Sequence, residues 1–125
     1  MPKPSKRDAE RYQKLRSLCE GLPEVSSEPY GDHTKFVVRK KTFAYYLNNH
    51  HNDGIVAVCC KNTPDEQRRL ISLVPELYLV PAYLGPSGWV SLRMDLLKID
   101  WDEVSELVLA AYRLQAPKRL VEGMG

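Results

Sequence analysis

No run of apolar residues in this chain approaches the roughly 18 that a membrane span needs. Its start, Met1-Pro2-Lys3-Pro4-Ser5-Lys6-Arg7, has no apolar stretch of the kind a secretory leader carries. The expectation is a cytoplasmic protein without a membrane partner. Cysteine is scarce: three residues, an odd number, build no disulfide framework and fit a reducing compartment. Charge of one sign is also missing, since 18 basic against 16 acidic residues leave a net +2. No strong field by itself announces a nucleic-acid binder.

The motifs of the common chemistries are absent too. There is no Gly-rich phosphate loop, no G-x-S-x-G elbow and no H-E-x-x-H. Gly85-Pro86-Ser87-Gly88 joins two expected strands rather than opening a helix, so it reads as a hairpin turn. His33, His50, His51 and Asp53 lack the spacing of a metal site, and vicinal histidines share one ion poorly. The acids Asp100, Asp102 and Glu103 stand where a helix N-terminus needs them. These absences point to a chain that is not an enzyme, with neither cofactor nor metal.

What is present is an ordinary globular composition, 43% hydrophobic and 27% charged over 125 residues. It predicts one domain over 1–125 with a short basic tail over 1–5. Ser5 caps a helix to about Leu22, with Tyr12, Leu15, Leu18, Cys19 and Leu22 as its apolar stripe and Arg7, Arg11, Lys14 and Arg16 on a solvated basic face. Pro23 to Gly31, with two prolines and a glycine, reads as an irregular connection.

Strands are expected over Thr34 to Arg39, Phe43 to Leu47 and Ile55 to Lys61. Alternation puts Phe36 and Val38 on one face of the first, and Phe43, Tyr45 and Leu47 together on one face of the second. Cys59 and Cys60 are neighbours on a strand, hence on opposite faces and unable to share a metal. Thr63-Pro64-Asp65-Glu66 predicts a helix start with a capping box, running to about Leu73. Strands over Tyr78 to Leu84 and Trp89 to Asp95 flank the Gly85 to Gly88 turn. Asp100 caps a last helix to about Leu114, and Pro117 ends it.

The order α-β-β-β-α-β-β-α implies an α+β fold, a five-stranded antiparallel sheet with the helices on one face. The other face is then partly wet or meets a partner. Arg39-Lys40-Lys41 places three positive charges at a hairpin, with Lys61 at the end of the third strand. Tyr46, Tyr83, Trp89 and Trp101 are candidate surface aromatics.

Several short motifs, taken in order, resemble the YjbR/MmcQ-like family. They are Leu22-Pro23-Glu24-Val25, Lys35-Phe36-Val37-Val38, Lys40-Lys41-Thr42-Phe43-Ala44, Lys61, Pro81-Ala82-Tyr83, Gly88-Trp89-Val90 and Ala111-Tyr112, spanning roughly residues 8 to 119. The resemblance implies a fold like that of the secretion chaperones and DNA binding through a double wing. The first wing would carry Arg39, Lys40 and Lys41; the second, over Gly85 to Gly88, has no charge at its tip and only Arg93 further along. Ala111 stands where the family often has a serine.

Three functions follow as expectations. The first is a DNA-associated chain without catalysis, contacting the phosphate backbone through Arg39, Lys40, Lys41, Lys61 and Arg93, with Tyr83 and Trp89 as surface contacts. The second is a module binding a protein partner or a second copy on the uncovered sheet face, with Val37, Tyr46 and Tyr83 as its apolar marks. The third is an enzyme or small-ligand binder using the Tyr83 and Trp89 region, although the sequence offers no nucleophile, base or metal set for it.

Overall fold

The computed structural model describes residues 5–49 and 54–124. Residues 1–4 of the expected basic tail, and His50, His51 and Asp53 of the polar turn, lie outside them. Helix α1 (Lys6–Glu20) leads into strands β1 (Val25–Tyr30), β2 (His33–Val38), β3 (Lys41–Asn48) and β4 (Val56–Cys60). Helix α2 (Pro64–Leu73), strands β5 (Tyr78–Leu79) and β6 (Val90–Arg93), and helices α3 (Trp101–Gln115) and α4 (Lys118–Glu122) complete the chain. The fold is α+β, and every neighbouring strand pair in the order β1-β2-β3-β4-β6-β5 is antiparallel.

The helix starts follow the sequence. Ser5 Oγ accepts the backbone N–H of Asp8 at 3.0 Å, and Asp100 Oδ1 accepts those of Asp102 and Glu103. Thr63 Oγ1 accepts the N–H of Glu66 at 3.2 Å, but the expected capping box closes only on this side. The N–H of Thr63 goes to Asn62 Oδ1 at 2.9 Å, and the Glu66 carboxylate pairs with Arg69 instead.

Register sorts the side chains into two layers. Thr34, Tyr46, Val58, Leu92 and Tyr78 align across five strands, and Phe36, Ala44, Cys60 and Val90 form a parallel row. Both rows are buried, and all their members but the polar Thr34 belong to the apolar core, together with Leu15 and Cys19 of α1, Leu70 of α2, and Val104, Leu107, Val108, Ala111 and Tyr112 of α3. The helices therefore cover one face. The opposite face carries the row Lys35, Tyr45, Cys59, Ser91 and Leu79.

Besides helix α4, which follows Pro117 where no element was expected, three features differ from the sequence reading. The sheet has six strands, because Val25–Tyr30 pairs with β2 rather than forming a loop. Pro29 is tolerated there because β1 is an edge, where a missing N–H costs no ladder bond. The second difference is a bulge in β3. Phe36 pairs with Ala44 but Val37 with Thr42, so Phe43 is the extra residue. Phe43 is thereby turned inward, its ring edge-on to Tyr112 at 5.7 Å, while Tyr45 and Leu47 stay on the outer face. The third lies between β5 and β6, where a strand was expected to reach Leu84. Pairing stops at Leu79, and a turn of 3-10 helix occupies Gly85–Ser87.

That connection is held by buried polar contacts. Gln67 Nε2 donates to the carbonyls of Gly85 and Trp89 at 2.8 and 2.6 Å. Gly88, at φ +93°, lies so close to the β4–α2 junction that a Cβ would fall 2.5 Å from the Asn62 carbonyl oxygen. The basic face of α1 is likewise engaged rather than simply solvated. Arg11 donates to the carbonyls of Met94, Leu96 and Leu97, and Lys14 lies 4.7 Å from the Trp101 ring centre.

Candidate functional site: a basic hairpin and an apolar groove

The β2–β3 turn consists of Arg39 and Lys40, with Val38 and Lys41 as the last paired residues. Both central residues have positive φ, 47° and 70°, the arrangement of a two-residue hairpin turn that favours Asn-Gly. Lys40 and Lys41 are exposed and make no ion pair with the described residues. Arg39 instead grips Glu24 with both sides of its guanidinium. The base of the hairpin is docked on α3, where Gln115 Nε2 donates to the Thr42 carbonyl at 3.1 Å and Tyr112 Oη to that of Pro23 at 2.8 Å.

This end of the sheet gathers further charge. Arg119 of α4 is near enough to help hold the Glu24 carboxyl below the usual carboxylate range, after the larger effect of the Arg39 hydrogen bond. Lys61 follows Cys60, the partner of Ala44, and its N–H bonds the Phe43 carbonyl, so it lies at the same end. Its Nζ is 3.3 Å from the Ser87 carbonyl. Arg93 does not belong to this group. It pairs in register with Ala57, itself opposite Leu47, toward the other end of the sheet, and it bonds Asp95 at 3.1 and 2.8 Å. The sequence reading missed Arg119, whose only signal was a basic pair just after the helix-ending Pro117.

Of the aromatics expected at the surface, Tyr83 is there and Trp89 is not. Tyr83 is 85% exposed; Trp89 is 6% exposed, its ring 5.7 Å from that of Tyr45. Tyr46 is buried, edge-on to Tyr12, because the bulge directs it into the core, and Val37 is buried as well. Tyr45 takes the outward place that had been expected of Tyr46.

The outer face forms a groove of about 530 Å³. Tyr45, Leu47, Ala57 and Cys59 make its floor, and the connection from Leu79 to Leu84 is one wall. None of the residues lining it is charged. Among the described residues, three of the six large exposed hydrophobics, Tyr30, Val80 and Tyr83, belong to this groove. The Cys59 thiol is pushed up to about 11 by burial, against a smaller opposing hydrogen bond with Ser91, so the floor holds no reactive thiolate.

His33 is engaged by the fold, its Nδ1 accepting the N–H of Asn48 at 3.1 Å. Among the described residues no group of three or more His, Cys, Asp or Glu side chains converges as a metal site would require, and no helix is long and apolar enough to cross a membrane.

No curated protein matches this chain. The crystal structure of Deinococcus radiodurans protein DR2400, with a DUF419 domain, shares the fold. Its TM-score is 0.69 at 21% identity, over 86% of this chain and 80% of that one. The family model of YjbR matches residues 20–114, a span that holds all six strands, α2 and most of α3. By that match the chain belongs to the YjbR family.

Proposed function

We propose that this chain is a non-enzymatic DNA-binding protein. It holds the phosphate backbone at the end of the sheet where Arg39, Lys40, Lys41 and Lys61 meet Arg119. The observation that carries this reading is the turn itself. Arg39 and Lys40 occupy positions that Asn-Gly would fill with less strain, and Lys40 and Lys41 stand exposed without an acidic partner among the described residues. A costly backbone kept at a basic tip is explained by a use for its charge. Phosphate contacts of this kind position a protein without reading sequence. Arg93, on its own carboxylate at the far end, contributes no second wing.

Fluorescence anisotropy of a labelled duplex tests the reading. About four phosphate contacts predict a loss of affinity of roughly two orders of magnitude between 50 and 200 mM salt. Lys40→Glu with Lys41→Glu should remove most of the binding equally across DNA sequences. No binding at the lower salt would sink the proposal.

A second reading is favoured by a different observation, the three exposed apolar side chains around an uncharged groove. On it, the working surface is the open sheet face. Its binding would depend on Val80 and barely on salt or on Lys40.

A further inference from the structure

We infer that the groove on the open sheet face takes a small, uncharged aromatic molecule. The inference rests on the second reading above and names its occupant. The volume of about 530 Å³ falls within the roughly 300–1,000 Å³ of ordinary small-molecule sites. Tyr30, Tyr45 and Tyr83 bring aromatic rings and phenol hydroxyls to the lining. A lining without formal charge gives an ionised ligand nothing to replace its lost water, so a neutral molecule is selected.

The same surroundings disfavour the other occupants. The floor belongs to β3, β4 and β6, whose main-chain groups are committed to the ladders between them. A polypeptide lying across that floor would bring N–H and C=O groups that meet no main-chain partners. A second copy needs about 800 Å² from each side of a stable interface, whereas this surface offers three exposed apolar side chains. Binding is non-covalent, because Cys59 on the floor has no exposed surface from which to react.

Two dyes with one ring skeleton test the inference on the full chain: N-phenyl-1-naphthylamine, which is uncharged, and 8-anilino-1-naphthalenesulfonate, which is anionic. The uncharged dye should bind one-to-one with a rise in fluorescence, and the sulfonate at least tenfold more weakly. Val80→Asp, at an exposed position, should weaken the uncharged dye at least tenfold with an unchanged melting temperature, and Lys40→Glu should leave it alone. Equal affinity for the two dyes would overturn the uncharged class. Binding that ignores Val80→Asp would overturn the site. A chain that binds neither dye but dimerises in sedimentation equilibrium, and loses that in Val80→Asp, would overturn the occupant and leave the open-face reading standing. A chain that does neither would overturn both.

Discussion

Arg39 and Glu24 form a two-point ion pair across 15 residues of chain, with Nε donating to Oε1 at 2.5 Å and Nη2 to Oε2 at 2.9 Å. The pair ties the hairpin tip to the segment just ahead of β1. It also occupies one of the three charges that the tip would offer a phosphate, leaving Lys40 and Lys41 as the available ones.

Glu24→Gln should therefore release Arg39 and tighten DNA binding, steepening the dependence of log affinity on log salt by about one contact's worth. Acid should do the same to the native chain. Glu24 is held below the usual carboxylate range by Arg39, so the pair's contribution is full above the ordinary carboxylate pKa. It is lost only as pH falls through the depressed value. Anisotropy titrations of both proteins between pH 7 and strongly acidic conditions would check this, the mutant showing no further gain from this pair.

Lys40→Gly should stabilise the protein while weakening it as a DNA binder. Lys40 sits at φ +70°, where a side chain costs about 1 kcal/mol that glycine avoids. A rise of a few degrees in melting temperature is expected, with a salt slope lower by about one. A fall in melting temperature would show that the turn is not strained.

The β5–β6 connection should be sensitive at two buried points. Gln67→Leu strands the carbonyls of Gly85 and Trp89 and should cost about 2–3 kcal/mol in urea unfolding. Gly88→Ala should cost at least as much, about 3 kcal/mol, since it adds a Cβ against the Asn62–Pro64 backbone at φ +93°.

The thiols should be silent in the folded state. Burial pushes Cys19 up to about 12 and Cys59 to about 11, and raises Cys60 well above the usual thiol value. A colorimetric thiol reagent at pH 8 should titrate almost none in native protein and all three in denaturant. Rapid labelling of Cys59 in native protein would show that the groove floor opens.

The elements legible in the sequence were those governed by local rules. Ser5, Thr63 and Asp100 each cap the helix that their chemistry announced. Phe36 and Val38 share one face of β2, as alternation predicts, and both lie in the core. The hairpin lysines are exposed where the basic run placed them.

What escaped depends on partners distant in the chain. Val25–Tyr30 is polar and contains Pro29, and it becomes a strand because β2 has an edge to share. The bulge at Phe43 is invisible to alternation, since one extra residue exchanges the faces of Tyr45 and Tyr46. Arg93 and Arg119 changed places as candidates for the basic site for the same reason. Strand register decides which end of the sheet a residue occupies, and helix packing decides which charge reaches Glu24.

The adjacent thiols of Cys59 and Cys60 sit in two separate compartments, the groove floor and the helix-packed core, with one peptide unit between them. A fluorine or nitrile reporter at position 59 would register an occupant of the groove, and one at 60 the packing beneath the helices. Two consecutive codons thus give independent readouts of ligand arrival and of core repacking. The delay between them would time how fast a single-layer sheet transmits a push from one side to the other.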